Sequence, residues 1–434
     1  MNLPRSPWRV APWLVALAAS PAPAQLDATA FLAAQLDDLV ALYEHLHRNP
    51  ELSTREKATS ARMAEELRKA GFEVTDKIGG YGVVGMLRNG AGKTLMLRAD
   101  MDALPIGEET GLPYASRIRG EADDGRPVGI MHACGHDLHM TNQVGVARWL
   151  AANQDRWRGS LMVLFQPAEE GGIGAKAMLD DKLFERFGKP DFALALHTAH
   201  DLATGVVGVR PGWAMANVDS VDIVVRGRGG HGSAPHLTID PITLACYLVA
   251  DLQTIVSREL PATEPAVLSV GAIHGGSKNN IIPDRCELML TVRSYNEETR
   301  AYMHAAIQRK AKALAAAHRA PEPELTFKDG TPALRNDDEL LARIRPILRR
   351  QLGDHNVVEI GPQMVGEDFS RYGLAGVPIL MFRLGTIAPA RMAQLLQAGT
   401  PLPPLHSSRY HPDARESLRA GIPAMAAAAC ELLR

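Results

Sequence analysis

The sequence predicts an α/β fold: a mostly parallel sheet with helices on both faces, into which a smaller α+β (ferredoxin-like) unit is inserted. Short apolar segments that read as buried strands, at 94–97 and 161–165, alternate with a segment of helical periodicity at 138–152. This alternation is typical of parallel sheets. Between about 217 and 330 apolar residues alternate with polar ones, as in half-exposed strands. The change of pattern indicates a second unit with its own architecture.

The first half of the chain opens with helical periodicity from about 28 to 70, where leucines recur at the spacing of one helix face. A further strand-like segment, 192–196, follows the first two strands. We expect these strands to pair in parallel, so that their carboxyl ends meet at one edge of the sheet.

The chain has 434 residues, which is longer than an ordinary single domain. We predict a larger domain formed by 25–216 and 331–434, interrupted by a smaller domain at 217–330. Within the smaller domain, strand and helix patterns follow the order β-α-β-β-α-β. The larger pattern resumes after it, with an apolar strand at 377–382 and a final helix near 412–433.

The first 24 residues have the order of a secretory signal peptide. Arg5 and Arg9 precede a short apolar run, and Ala22-Pro-Ala24 forms an A-x-A site. The run is too short to span a bilayer, and no cysteine follows the site directly. We expect cleavage after Ala24 and a periplasmic or secreted protein without a membrane anchor; an ordinary buried helix is the alternative.

The composition argues against nucleic acids and anionic membranes as binding partners. The formal net charge is -2, so there is no charge excess that would attract nucleic acid or an anionic membrane. The four cysteines are too widely spaced to resemble a disulfide framework. We expect Cys246, Cys286 and Cys430 to be small buried apolar residues, whereas Cys134 stands apart because of its neighbours.

Polar clusters follow the predicted strands at the edge where parallel sheets bind ligands. Asp100 and Asp102 follow the first strand, Glu169 and Glu170 the second, and His197 ends the third. Adjacent residues of an extended segment point in opposite directions, so one glutamate can bind a metal while its neighbour acts as a base. A solvated acidic loop and a structural histidine are the alternatives.

Cys134 and His136 flank a glycine in MHACGHD, residues 131–137. Thiolate, imidazole and carboxylate are ligands of borderline divalent metals, so this loop can direct two ligands at one metal or at two adjacent metals. Alone, the pair is better explained as a chance cysteine beside surface histidines, and His406 is uninformative by itself. The carboxylate pair at 169–170 favours the metal interpretation.

Several longer motifs resemble those of the metallopeptidase-20 family, in the same order. They are RADMDALP (98–105), MHACGHD (131–137), FQPAEEG (165–171), GRGGHGSAPH (227–236), NIIPD (280–284), Arg293, GEDF (366–369) and Leu405-His406. The resemblance is to the amidohydrolase branch, which contains hippurate hydrolase, N-acetyl-amino-acid deacetylases and plant auxin-conjugate hydrolases. It covers nearly all of the chain after residue 24.

The resemblance implies a role for each matching residue. Two divalent metal ions, manganese or zinc, would be bound by five ligands: Cys134, His136, Glu170, His197 and His406. Cys134 would occupy the bridging position, Glu169 would be the general base, and Asp102 would be an acid beneath the metal site. On the inserted domain, His231 and Asn280 would close over the substrate carbonyl, and Arg293 would help to bind the substrate carboxylate. The inserted domain would also act as a lid and join two chains in a homodimer.

The sequence therefore predicts an exported, metal-dependent amidohydrolase that cleaves the amide bond of a small-molecule N-acyl amino acid. A metallo-carboxypeptidase or dipeptidase on the same fold is the alternative that keeps the chemistry. A thiol hydrolase using Cys134 and a non-catalytic binding protein are the alternatives that do not. The segments 119–127 and 386–404 look longer than is typical of the family, which leaves the acyl group and the amino acid open.

Overall fold

The computed structural model describes residues 25–434, except the side chain of Asp329. The predicted signal peptide, residues 1–24, lies outside the described residues. The helices are α1 (Thr29–Arg48), α2 (Lys57–Lys69), α3 (His136–Ala152), α4 (Gly174–Asp180), α5 (Leu183–Phe187), α6 (Pro241–Thr254), α7 (Glu297–Ala317), α8 (Asp338–Leu352), α9 (Ser370–Leu374), α10 (Pro389–Gln397) and α11 (Ala414–Leu432). Between residues 25 and 434, no helix is both long enough and apolar enough to cross a bilayer.

The strands fall into a large sheet, a small sheet and three short pairs. In chain order they are β1 (Glu73–Ile78), β2 (Gly82–Asn89), β3 (Thr94–Asp100), β4 (Arg119–Glu121), β5 (Pro127–Gly129), β6 (Gly159–Gln166), β7 (Phe192–Ala203), β8 (Val207–Val209), β9 (Gly212–Met215), β10 (Asn217–Arg226), β11 (Gly230–His231), β12 (Val267–Gly275), β13 (Ile281–Ile282), β14 (Arg285–Ser294), β15 (Glu324–Thr331), β16 (Leu334–Asn336), β17 (Val357–Glu359) and β18 (Ile379–Ile387).

The large sheet has eight strands in the order β1-β2-β6-β3-β7-β18-β8-β17. Its centre is parallel, because β3 pairs in parallel with both β6 and β7, and β7 pairs in parallel with β18. Alternate residues of β3 enter different cores: Leu95 and Leu97 pack on one face, and Met96 packs on the other. Both faces are covered by helices, as predicted for a mostly parallel sheet.

The small sheet is antiparallel, in the order β12-β14-β10-β15. Helices α6 and α7 cover one of its faces and enclose a core of their own. In sequence these elements follow the predicted order β-α-β-β-α-β. The sequence places a single helical region at 28–70, whereas the structure has two helices, α1 and α2, separated by a turn.

One expectation about the cysteines is wrong. Cys286 and Cys430 are buried, but Cys246 is exposed on α6. Helix α6 is amphipathic, and Cys246 lies on its outer face although its neighbours Leu244 and Ala245 are buried. The residue type alone did not reveal this face. None of the four cysteines forms a disulfide.

Candidate metal centre

The loop that carries Cys134 and His136 is shaped by the glycine between them. Gly135 has a φ of 81°, and a Cβ there would lie 2.8 Å from Cγ2 of Thr198. Any other residue would therefore be strained and crowded. The Thr198 hydroxyl donates to the Cys134 carbonyl at 2.7 Å, and α3 begins directly at His136. These contacts fix the loop against Thr198 in the middle of β7.

His197 lies on β7 with its metal-binding nitrogen defined by a hydrogen bond. Its Nδ1–H donates to the Thr198 carbonyl at 2.9 Å, which leaves the Nε2 lone pair free. That Nε2 lies 3.5 Å from Sγ of Cys134. Burial and the nearby Arg383 guanidinium hold the pKa of His197 well below its ordinary value. A neutral imidazole oriented in this way is suited to bind a metal.

Glu169 and Glu170 lie in a turn after β6, not in an extended segment. β6 ends at Gln166, Ala168 has a φ of 51°, and the Gly172 amide donates to the Glu169 carbonyl at 2.7 Å. Both carboxylates therefore approach His136, whose Nε2 lies 3.9 Å from Glu169 and 3.8 Å from Glu170. The expected divergence of the two side chains is absent.

His406, which is near the carboxyl end of the chain, also lies beside Glu170. Its Nε2 lies 3.4 Å from Oε1 of Glu170, and its amide donates to the Ala133 carbonyl at 2.9 Å. The imidazole is 52% exposed, so the predicted ligands are accessible to solvent on the side where His406 lies. The segment 386–404 that leads to it contains α10, none of whose residues is buried.

The five predicted ligands form two overlapping triads, which we call the ligand cluster (Cys134, His136, Glu170, His197 and His406). In one triad the donor atoms of Cys134, His136 and His197 all lie within 4.8 Å of one another; in the other, those of Cys134, Glu170 and His406 do. Cys134 is the residue that the triads share. A thiolate in that position can contact two cations at once.

Unpartnered buried atoms in the cluster fit the binding of metal cations. Nε2 of His136 and Oε1 of Glu170 are buried without a hydrogen-bond partner. Each such atom costs on the order of 1–3 kcal/mol when nothing compensates it. Cations bound between these atoms would compensate them, and the set of thiolate, imidazole and carboxylate suits borderline divalent metals.

Asp102 supports two ligands at once. Its Oδ2 accepts from the Ser53 hydroxyl at 2.6 Å and from the Glu170 amide at 3.0 Å. Its Oδ1 lies 3.4 Å from Nδ1 of His136. The carboxylate therefore holds the Glu170 backbone and faces the side of His136 that is turned away from the other ligands.

A third group of possible ligands, Asp100, His136 and His139, is not a metal site. Nδ1 of His139 lies 2.6 Å from Oδ1 of Asp100, and the Thr198 amide donates to its Nε2 at 2.9 Å. Because both ring nitrogens are engaged, His139 has no lone pair left for a metal. It braces the sheet edge beneath the cluster instead.

Sequence reasoning gave no role to a buried charge network beside the cluster. Arg98 lies 2.7 Å from Asp100, 3.0 Å from Glu367 and 2.9 Å from Asp368, and all four side chains are buried. The GEDF motif contained the two later acids, but only the fold brings them to Arg98. This network holds the carboxyl end of β3 against the loop that precedes α9.

Glu169 is only 8% exposed and lies among other acids. Burial and the negative charges of Glu367 and Glu170 raise its pKa well above the ordinary value. Such a carboxyl group holds a proton readily, and nearby cations would favour its ionised form. It therefore combines the proton affinity and the position that a general base needs.

The three predicted residues of the inserted unit lie apart from the cluster. His231 is on β11, opposite Ile281 of β13, and the Gly232 amide donates to the Asn280 carbonyl at 2.9 Å. His231 and Asn280 are thus neighbours, and both are exposed. Within residues 25–434, neither is joined to the ligand cluster by a hydrogen bond or ion pair. Arg293 donates from Nη1 to the Met364 carbonyl, in the loop that leads to Glu367.

The family to which this chain belongs follows from a match between a family model and most of the sequence. Residues 96–394 match the model of the peptidase family M20/M25/M40. The chain belongs to this family. It is therefore a hydrolase, and the resemblance predicted from its motifs is confirmed.

Relatives in the family differ in what their names say they hydrolyse. The chain is 39% identical to hippurate hydrolase of Campylobacter jejuni, over 75% of this chain and 82% of that protein. It is 38% identical to thermostable carboxypeptidase 2 of Saccharolobus solfataricus, over 81% and 86%. A solved dinuclear metal-binding peptidase of the M20 family from Bacillus subtilis has a TM-score of 0.74 at 28% identity, covering 92% of this chain and 99% of its own.

Proposed function

We propose that this protein is a two-metal amidohydrolase that removes the acyl group from N-acyl amino acids. The observation that carries the proposal is the shared position of Cys134 in both ligand triads, with Glu169 buried beside them. Hippurate is an N-acyl amino acid, and the similarity to hippurate hydrolase supports this substrate class. Manganese and zinc both suit the donor set.

When bound, two divalent cations supply Lewis acidity, which lowers the pKa of water and polarises a carbonyl group. Glu169 takes the proton of the attacking water and delivers it to the leaving nitrogen as the C–N bond breaks. Asp102 keeps His136 and Glu170 in place, and Thr198 fixes the orientation of His197. His231 and Asn280 donate to the developing oxyanion when the inserted unit closes, each contributing about 3 kcal/mol.

We also propose that the protein is exported and that it forms a homodimer through the inserted unit. The order of residues 1–24 supports export. Strand β12 lies at the edge of the small sheet, and unpaired edges are commonly covered by another chain. Ile273 and Met289 on this sheet are 47% and 50% exposed, which supports an interface there.

A thiol hydrolase is the rival with different chemistry. Cys134 is 6% exposed, and burial raises its thiol pKa, so the reactive thiolate is disfavoured without a cation. The carboxylates around it would have no use in that mechanism. EDTA should abolish turnover, and added Mn²⁺ or Zn²⁺ should restore it. If EDTA has no effect while iodoacetamide inactivates the protein, the metal mechanism is wrong.

The carboxypeptidase relative makes the second candidate a metallo-carboxypeptidase with the same centre. A panel of N-acyl amino acids and dipeptides, assayed with each metal, separates the two by which substrate has the higher kcat/KM.

The assignment of Glu169 as the general base is tested with the variant Glu169→Gln. The same substitution at the neighbouring residue, Glu170→Gln, is the control. Glu169→Gln should lower kcat by about 10²–10⁴-fold with unchanged metal content. Glu170→Gln should instead lower metal content, because it removes a charged ligand. Turnover that survives in Glu169→Gln would remove this residue from the mechanism.

A further inference from the structure

Arg383 is a buried cation without an anionic partner. It lies on β18 beside His197 of β7 and is 5% exposed. Its Nε and Nη2 donate to the Thr198 carbonyl at 3.1 and 2.7 Å, and its Nη1 donates to the side-chain oxygen of Gln363. Over residues 25–434, no aspartate or glutamate lies within ion-pair distance of this guanidinium. Buried charges are rarely left unpaired, so the position calls for an explanation.

Arg98 provides the internal comparison. It is equally buried, but three carboxylates surround it. The fold is thus able to neutralise a buried guanidinium completely where its role is structural. At Arg383 burial is the largest influence on the guanidinium and lowers its pKa, whereas the pKa of Arg98 is raised well above its ordinary value. An anion from outside the chain would relieve the cost at Arg383.

A cavity of about 320 Å³ adjoins this guanidinium. It is lined by Arg383, Gln363 and the residues that follow Thr198 on β7, including Ala199 and Asp201. The Thr198 carbonyl oxygen accepts hydrogen bonds from both His197 and Arg383. One backbone atom therefore links a predicted metal ligand to a residue that lines the cavity. Asp201 is exposed, so water screens its charge. The cavity has a buried positive charge in its wall, and the residue that carries it, Arg383, lies beside His197 of the ligand cluster.

We infer that Arg383 binds the carboxylate of the substrate's amino acid in this cavity. The inference rests on the proposed amidohydrolase function and names the residue that would select substrates whose leaving amine carries a free carboxylate. A guanidinium has five N–H groups, and the three hydrogen bonds of Arg383 leave two of them for a ligand. Planar guanidinium groups are well suited to bind carboxylates. Arg293, the residue expected for this role, already donates to the Met364 carbonyl.

The competing explanation is that Arg383 only positions His197 through the shared carbonyl. A positioning residue affects every substrate alike and lowers metal content when it is removed. A carboxylate-binding residue affects only substrates that carry the charge. A charged and a neutral form of one substrate therefore separate the two roles.

The experiment follows benzoate release from N-benzoylglycine and from neutral N-benzoylglycinamide, with metal content measured alongside. Arg383→Met removes the charge. Gln363→Glu, which is nearly isosteric, places a carboxylate where the side-chain oxygen already accepts from Nη1 and so neutralises the guanidinium; it serves if Arg383→Met does not fold. Arg210→Met is the matched control, because Arg210 lines a neighbouring cavity and donates to the Trp213 carbonyl at 3.3 Å.

We expect Arg383→Met and Gln363→Glu to raise KM for N-benzoylglycine by about 10–100-fold, and to change KM for the amide by less than about threefold. Arg210→Met should leave the ratio of the two substrates unchanged. Parallel losses on both substrates, or no loss on either, would overturn the inference. Calorimetric binding of N-benzoylglycine to metal-loaded Glu169→Gln, with and without Arg383→Met, needs no turnover. Failure of the proposed function would show separately, as an inactive wild type.

Discussion

Replacing Asp102 by asparagine changes one buried atom and should weaken metal binding by His136 while leaving the Glu170 backbone supported. Oδ2 of Asp102 accepts two hydrogen bonds, from Ser53 and from the Glu170 amide, at 2.6 and 3.0 Å. In Asp102→Asn the amide oxygen must take that position, because the Glu170 amide can only donate. The new NH₂ group then faces Nδ1 of His136.

That arrangement places two donors face to face. His136 binds a metal through Nε2 only when its proton is on Nδ1, and the asparagine NH₂ group cannot accept this proton. The imidazole must change tautomer and lose its free Nε2 lone pair, or rotate away. Losing such a supporting partner lowers metal affinity by about 10–100-fold. At about 1.4 kcal/mol per factor of ten, this corresponds to roughly 1.4–2.8 kcal/mol.

Competition with a coloured chelator measures the metal dissociation constants directly. Ser53→Ala is the matched control, since it removes one hydrogen bond from the same carboxylate but keeps its charge and the atom that faces His136. Its effect should not exceed about fivefold. If Asp102→Asn binds both equivalents of metal as tightly as the wild type, the proposed support of His136 by Asp102 is refuted.

Two further predictions concern buried charges. Burial lowers the pKa of His47, but hydrogen bonds to Asp137 and Glu108 outweigh it and raise the pKa to about 9. The resulting stabilisation is complete below pH 6.5 and is lost as the pH rises through 9, so urea unfolding should show a decrease of up to about 3 kcal/mol that is absent in His47→Gln. Arg98→Met leaves three buried carboxylates uncompensated, and its free energy of unfolding should fall by about 3–5 kcal/mol at pH 8 and by less at pH 5; equal losses would contradict this reasoning.

Part of the ligand cluster could be predicted because Glu170 follows β6 and His197 lies on β7 level with the end of β3. Parallel pairing of β3, β6 and β7 brings the segments after Asp100, Gln166 and Leu196 to one edge, whatever the loops between them do. Motif order along the chain then supplied the roles. This part of the site depends on topology, which hydrophobic patterning reveals.

The geometry of the turn at Glu169 and Glu170 could not be predicted in the same way. The positive φ of Ala168 has no signature in the residue type, and it is supported by contacts from elsewhere, such as the Glu56 carboxylate that accepts from the Ala168 amide at 2.8 Å. A local pattern gives the position of a strand end but not the course of the chain beyond it. The convergence of both glutamates on His136 is therefore a tertiary effect.

Arg98 and Arg383 illustrate the same limit for electrostatics. Each lies in an apolar strand, and although Arg98 has Asp100 two residues further on, its other two carboxylate partners come from a distant segment. Their surroundings differ because of contacts across 270 residues for Arg98 and 185 for Arg383. The distant contact of Arg98 is with the Asp368 carboxylate, whereas that of Arg383 is with the Thr198 carbonyl. The Arg98 guanidinium is therefore neutralised within the fold, and the Arg383 guanidinium is not. If the fold had needed Arg383 only for packing, an apolar residue would fill β18 without the cost of burying a charge. The unpaired charge beside the ligand cluster is thus better explained by what the centre binds than by what holds the sheet together.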